Sequence, residues 1–137
     1  MTKKVIHVVA GIIVHGETVF IARRLPGGAA GGKWEFPGGK VESSETPRSA
    51  LARELKEELE LDVHINSQIG LFQTVLGDGT ISLDCYWITR FTGQIRLTSH
   101  THFAWARLDE LDDYDFAGPD LPVIKEIRRR GLPEEAT

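Results

Sequence analysis

The segment 38–61, GGKVESSETPRSALARELKEELEL, constrains the fold most, because it predicts one well-defined helix with two different faces. Thr46 is a suitable N-cap, and Pro47 fits the first helical position, where a missing N–H costs nothing. One face is an apolar stripe of leucines that recur every fourth residue: Leu51, Leu55 and Leu59. The sequence therefore predicts a helix over residues 47–59 whose leucine face packs on a core.

The other face of this helix carries three carboxylates. Steps of about 100° per residue place Glu54, Glu57 and Glu58 within a wedge of roughly 100°. Like charges repel, so a helix under no other demand would spread them out. A hard divalent cation in front of them would remove the repulsion, since Mg²⁺ and Mn²⁺ take oxygen ligands. The alternative is a solvated acidic helix face, which is what most charge runs are.

The spacing of residues around the helix favours the cation. The chain resembles the Nudix hydrolase signature GX5EX7REUXEEXGU, where U is a bulky aliphatic residue, at Gly39, Glu45, Arg53-Glu54-Leu55, Glu57-Glu58 and Leu61. The segment WEFPGGK at residues 34–40 resembles the MutT branch of that family, and the resemblance covers most of the chain. One position departs from the signature, since Glu60 stands where the family has glycine. If that residue is left-handed, we expect a cost of ~1–2 kcal/mol.

Length and composition describe an ordinary globular chain. Its 137 residues, 41% of them hydrophobic, suit a single domain, which we place at residues 1–132 with a flexible tail at 133–137. No apolar run approaches the ~18 residues of a membrane span, and the first residues lack the layout of a signal peptide. Cys85 is the only cysteine and lies in an apolar strand pattern, which indicates a buried, inert thiol. We therefore expect a cytoplasmic protein.

The net charge of −4 limits the possible partners. An acidic chain without a basic stripe is a poor candidate for long nucleic acid, and nothing in it predicts a membrane partner. A nucleoside triphosphate would be repelled by three glutamates unless metal ions bridged them. The charge therefore favours metal-dependent chemistry on a nucleotide, with a monomer or a homodimer both open.

Strand patterns flank the central helix, and a second helix closes the chain. We predict strands at 3–15, 18–23, 63–76 (one or two strands), 80–91 and 102–107. Residues 25–33 are predicted to form a loop. The terminal helix is predicted at 120–130, with Ile124 and Ile127 facing inward and Gly131 at C′. This order indicates an α+β fold. The resemblance implies the Nudix-type α/β/α sandwich, with a mixed β-sheet and a loop–helix–loop motif.

The resemblance also implies roles for the motif residues. Glu54, Glu57 and Glu58 would hold Mg²⁺, with Mn²⁺ as a possible substitute, and the carbonyl of Gly38 would add a ligand. We assign to Glu54 the further role of polarising the attacking water.

A structural role is implied for the remaining motif positions. Gly39 lets the backbone approach the site closely. Arg53 would lie behind the metal-facing side of the helix and pair with Glu45, which ties the loop to the helix.

Substrate-binding residues are predicted less directly. Arg24 aligns with an arginine that touches the nucleotide in MutT-like proteins, whereas Arg23 would project from the other face of its strand. Lys40 could reach a phosphate. Asp120 occupies the place of the asparagine with which MutT reads oxidised guanine, and an aspartate donates a hydrogen bond only if protonated. The alternatives are plain surface charges at Arg24 and Lys40 and an N-cap of the last helix at Asp120.

A further departure lies in SHTHF at residues 99–103. MutT-like enzymes often carry a glutamate in this loop, and here there is none between Arg96 and Trp105. His100 or His102 could take its place as a base or a ligand, since histidine titrates near neutrality. The simpler expectation is a pair of exposed surface histidines.

The resemblance therefore implies a Mg²⁺-dependent nucleoside triphosphate pyrophosphohydrolase that releases a nucleoside monophosphate and pyrophosphate, and the three clustered carboxylates agree with it. The MutT-like segment favours oxidised nucleotides such as 8-oxo-dGTP, and with them a DNA-repair role. A pyrimidine substrate (CTP, dCTP or 5-methyl-dCTP) is the main alternative, because FAGPDLPVI at residues 116–124 resembles the CTP-acting relatives equally well. A non-catalytic nucleotide-binding Nudix domain and a hydrolase of ADP-ribose or a dinucleotide are weaker alternatives.

Overall fold

A computed structural model describes residues 4–134 and contains seven strands and two α-helices within that range. In chain order the elements are β1 (Lys4–His15), β2 (Thr18–Arg24), β3 (Trp34–Glu35), β4 (Gly38–Lys40), α1 (Pro47–Leu59), β5 (Asp62–Leu76), β6 (Gly79–Thr92), β7 (His100–Arg107) and α2 (Leu121–Arg130). Short 3₁₀ helices at Leu108–Asp113 and Gly118–Asp120 connect β7 to α2.

The strands form a mixed sheet in the order β3-β2-β1-β6-β5. β1 runs parallel to β6 over ten residue pairs, from Lys4 opposite Gly79 to Ile13 opposite Ile88. β1 is antiparallel to β2 and to β4, and β7 pairs antiparallel with β2. The near-continuous apolar run of β1 therefore occupies the middle of the sheet, where both of its faces are covered.

Two cores lie on opposite faces of this sheet. Alternate residues of β1 enter each core, because successive side chains of a strand point to opposite sides. One core packs the leucine stripe of α1 on Val9 and Ile13. The other packs Val123, Ile124 and Ile127 of α2 on the facing residues of β1: Ala10, Ile12 and Val14. The predicted α/β/α sandwich is confirmed.

Helix α1 begins and ends as its local sequence predicts. The Thr46 side chain accepts the Ser49 N–H at 3.1 Å, and Pro47 is the first helical residue. The helix ends at Glu60, which is left-handed with φ 58° and ψ 34° and donates its N–H to the Lys56 carbonyl at 3.0 Å. The chain thus places a glutamate in a conformation that favours glycine.

Other elements differ from the sequence-based expectation. β7 starts at His100 rather than 102, and β3, β4 and the 3₁₀ helices were not predicted. Of the one or two strands expected at 63–76, the structure has one, β5. The alternative role of Asp120, a side-chain N-cap of α2, is wrong, because its side chain makes no capping hydrogen bond and a 3₁₀ turn precedes α2. Gly131 has the expected positive φ (77°) after α2, and Cys85 is buried.

The boundaries of the domain and its tail remain a prediction. Residues 135–137 of the expected tail lie outside the described part of the chain. Within the residues described, no helix combines the length and apolar character needed to cross a membrane.

Candidate active site

The two glycines of β4 bring α1 close to the sheet. Gly38 and Gly39 pair with Ala10 and Val9 of β1. A Cβ atom on Gly38 would lie 1.9 Å from the Val9 carbonyl oxygen, and one on Gly39 would lie 2.4–2.7 Å from the carboxylate atoms of Glu54. Only glycine leaves room for both approaches. The Glu54 carboxylate therefore lies directly against the β4 backbone.

Arg53 joins the loop before α1 to the helix itself. Its Nε and Nη2 atoms donate to the two oxygens of Glu45 at 2.7 and 2.9 Å, and Nη2 also donates to the Lys40 carbonyl at 3.1 Å. The hydrogen bond from Arg53 lowers the pKa of Glu45 to about 2. The expected Glu45–Arg53 pair is present in bidentate form, which is the strong geometry for this pair.

Arg53 does not lie simply behind the metal-facing side of the helix. Its Nη1 atom donates to Glu54 at 2.9 Å and to Glu57 at 3.3 Å. One guanidinium therefore contacts two of the three predicted ligands. The loop brace and the acidic face are thus parts of one network.

Glu58 is the most enclosed charge of the three. Its Oε1 atom accepts the Gly38 N–H at 3.2 Å. Burial, followed by the nearby charges of Glu35 and Glu54, raises its pKa to about 8. Burial also raises the pKa of Glu54, against the hydrogen bond from Arg53, whereas the Glu57 side chain is 59% exposed.

A cavity of about 500 Å³ opens beside this acidic face. Its wall includes Arg24, Glu35, Asp120 and the two β4 glycines. Asp120 is buried, and its pKa is raised well above the usual value, first by burial and then by the charge of Glu35. The predicted residues Arg24 and Asp120 are thus brought to one cavity. Lys40 is exposed at the end of β4 and does not belong to the described cavity wall.

Arg23 and Arg24 leave β2 in different directions, as expected for neighbours in a strand. Arg23 Nε donates to the Gly32 carbonyl at 2.9 Å and so ties down the glycine-rich loop. Arg24 Nη1 donates to Glu35 Oε1 at 3.0 Å inside the cavity. Only Arg24 is therefore placed to meet a ligand there.

The two histidines of β7 have different environments. His102 is exposed, and its Nδ1 atom lies 2.9 Å from the Thr101 hydroxyl. The His100 side chain is only 1% exposed, and its Nε2 atom lies 2.9 Å from Glu35 Oε2. The expectation of an exposed pair is wrong for His100, because the register shift between Arg23 and Arg24 breaks the strand alternation and places the two rings on different faces of β7.

Glu35 was missed as a site residue. Ligand atoms of Glu35, Glu58 and His100 all lie within 4.8 Å of one another. The available signal was a charged residue between Trp34 and Phe36, three residues before Gly38. Its importance depends on partners far away in the chain, which the sequence pattern does not identify.

The chain matches the family model described as a NUDIX domain over residues 8–126. The chain belongs to the Nudix hydrolase family. An 8-oxo-dGTP diphosphatase of Haemophilus influenzae is 39% identical over 130 residues, covering 93% of this chain and 94% of the relative. A CTP pyrophosphohydrolase of Escherichia coli is 33% identical over 122 residues, covering 89% and 90%. The solution structure of the E. coli ORF135 protein has a TM-score of 0.83 at 30% identity, covering 96% of each chain.

The acidic face of this Nudix domain suits a divalent cation. Its donor atoms are carboxylate oxygens, and the glycines of β4 let the backbone come close to them. Hard cations take such oxygen ligands. Without a cation, burial and mutual repulsion raise the pKa values of Glu54 and Glu58. A positive ion would relieve that repulsion, so these residues fit the divalent cation that Nudix hydrolases generally use.

Proposed function

We propose that this Nudix hydrolase is a nucleoside triphosphate pyrophosphohydrolase that depends on Mg²⁺ and accepts Mn²⁺. One observation carries the proposal: the acidic face of α1 lies next to the cavity that Arg24 and Asp120 line, with the β4 glycines between them. The first suits polyphosphate chemistry and the second has the size of a small-ligand site. The products would be a nucleoside monophosphate and pyrophosphate. We infer a cytoplasmic enzyme, either a monomer or a homodimer.

The motif residues would divide the work at the phosphates. Glu54, Glu57, Glu58 and the carbonyl of Gly38 would hold the cation, which when bound neutralises phosphate charge and acidifies a water. Glu54 would take the proton of the attacking water, because it lies against the β4 backbone and is oriented by Arg53.

The cavity residues would bind the rest of the nucleotide. Arg24 would contact the phosphates or the base, and Lys40, which lies outside the cavity wall at the exposed end of β4, would add a phosphate contact. Burial and the charge of Glu35 raise the pKa of Asp120, which favours its protonated carboxyl, and a protonated carboxyl can donate one hydrogen bond and accept another. That donor–acceptor pair is the capacity expected of a residue that reads an oxidised guanine, so we propose 8-oxo-dGTP as the first substrate.

A pyrimidine triphosphate is the second candidate. The E. coli CTP pyrophosphohydrolase covers nearly the whole chain at 33% identity, close to the value for the 8-oxo-dGTP relative. The cavity would accept either base. The ordering of the two substrates therefore depends on measurement.

The test is a kcat/KM series over 8-oxo-dGTP, dCTP, CTP and 5-methyl-dCTP with Mg²⁺, with both pyrophosphate and inorganic phosphate measured. We expect pyrophosphate release, highest for 8-oxo-dGTP. Glu57→Gln should lower kcat at least ~100-fold, as for other lost charge stabilisation of a transition state. Glu60→Gln is the matched control, because Glu60 is exposed beyond the end of α1.

Three results would change the proposal. Release of inorganic phosphate instead of pyrophosphate would refute the reaction. A higher kcat/KM for CTP or 5-methyl-dCTP would replace the first substrate by the second. Tight nucleotide binding without metal-stimulated turnover would indicate a non-catalytic binding domain.

A further inference from the structure

The carboxylate of Glu35 is held by two donors from different strands. Arg24 Nη1 lies 3.0 Å from Oε1, and His100 Nε2 lies 2.9 Å from Oε2. The Glu35 side chain is 13% exposed on the cavity wall, and its ligand atom lies within 4.8 Å of that of Glu58. A carboxylate has about four acceptor positions, so lone pairs of Glu35 remain free for a ligand.

The environment of the His100 ring decides which nitrogen carries the proton. Nδ1 is buried, and within residues 4–134 it has no hydrogen-bond partner. A buried N–H without an acceptor is rarer in proteins than a buried acceptor with an unused lone pair. The proton therefore belongs on Nε2, which donates it to Glu35.

With the proton on Nε2, the His100 ring has no lone pair on that nitrogen to offer a cation. A histidine that binds metal through one nitrogen almost always donates the N–H of the other to a carboxylate, a carbonyl or water. Nδ1 has no such acceptor among the described residues. A protonated Nε2 is likewise unavailable as a base. The ring is built to donate to Glu35.

We propose that His100 is a positioning residue that, with Arg24, holds Glu35 beside Glu58 so that both carboxylates face the divalent cation. The inference rests on the proposed function for the presence of that cation. Two carboxylates this close repel each other, and without donors Glu35 would rotate away from Glu58. The two donors on Glu35 prevent that rotation. Cation affinity, which can be measured without nucleotide or turnover, is therefore the direct readout.

The experiment is a Mn²⁺ titration of the nucleotide-free chain, with free Mn²⁺ followed by electron paramagnetic resonance. His100→Leu removes the donor, and we expect affinity to fall about 10- to 100-fold, as for other residues that orient metal ligands. His102→Leu is the matched control, because that ring is exposed on the same strand, and it should bind as the wild type does. His100→Gln should recover most of the affinity, since its amide N–H can donate to Glu35.

Equal affinity in wild type and His100→Leu would overturn the inference, as would His100→Gln binding no better than His100→Leu. Nitrogen coupling to bound Mn²⁺ in pulsed spectra that disappears in His100→Leu would also overturn it, because His100 would then be a ligand. If His100→Leu fails to fold, His100→Asn replaces it. The Asn amide is too short to reach the position of Nε2, so it should bind more weakly than His100→Gln.

Pyrophosphate release measured on the same preparations separates the two proposals. Hydrolysis by the wild type together with unchanged Mn²⁺ affinity in His100→Leu would refute the positioning role alone. The expected binding pattern without hydrolysis of any nucleotide in the series would refute the proposed function alone. A wild-type chain that binds no Mn²⁺ would refute both.

Discussion

Glu58 should make the metal-free protein less stable as the pH rises, and Glu58→Gln should remove that effect. The folded pKa is about 8 against an ordinary value of 4.5, because burial and the charges of Glu35 and Glu54 disfavour ionisation. Between these values the unfolded chain has lost a proton that the folded chain still holds. Stability therefore falls as the pH rises through this window, and the loss is complete above the folded pKa.

The size of the effect follows from the same pKa values. Moving a carboxyl pKa from 4.5 to about 8 corresponds to a ceiling of ~5 kcal/mol, at 1.36 kcal/mol for each tenfold change in ionisation. Glu58 is partly solvated and its neighbours can move, so we expect Glu58→Gln to gain about 2–4 kcal/mol near pH 8.5 and little near pH 5. The glutamine keeps the volume and can still accept the Gly38 N–H.

Urea unfolding in the presence of a chelator measures this difference at both pH values. Glu57→Gln is the matched control, because Glu57 lies one residue away with its side chain 59% exposed, and it should change stability by less than ~0.5 kcal/mol. The reasoning is refuted if Glu58→Gln is no more stable than the wild type near pH 8.5. A gain of the same size near pH 5 would also refute it, since that gain could not come from ionisation.

Two further predictions concern the C-terminal end of α1 and the hydrogen bonds of Arg53. Glu60→Gly should stabilise the protein by about 0.5–1 kcal/mol in urea unfolding, because relief of the left-handed strain (φ 58°) exceeds the entropic cost of glycine. Glu60→Ala should give no gain, and an equal gain there would contradict the explanation. Arg53→Lys should lose about 1–3 kcal/mol and most activity, because an ammonium cannot reach Glu45, Glu54 and the Lys40 carbonyl together. Wild-type activity and melting in that variant would show that the bidentate pair is dispensable.

Helix α1 and its motif could be predicted because their determinants are local. The N-cap at Thr46 and the leucine stripe depend on spacings within one helix, and both were read correctly. The motif spacing also placed the chain in its family, since fixed residues at fixed intervals are independent of the rest of the fold. The order of strand and helix patterns indicated an α+β fold, and the family resemblance implied the mixed-sheet sandwich that the structure has.

The environments of Asp120 and His100 could not be predicted in the same way. A local rule made Asp120 a helix cap and His100 a surface residue, and both were wrong, because the sheet and the 3₁₀ turn carry these side chains into the protein. Their burial depends on which elements pack over them. Local patterns do not contain that information.

The sequence by itself therefore determined a helix with a carboxylate face, the two glycines that precede this helix, and the family to which the chain belongs. Only the tertiary structure decided what surrounds those carboxylates. Glu35 and His100 are 65 residues apart and meet because their strands both pair with β2. Strand alternation gives the face on which a side chain lies, whereas pairing between distant strands gives its neighbours. For Glu58 those neighbours and the loss of water set the charge state, which no spacing along the chain can specify.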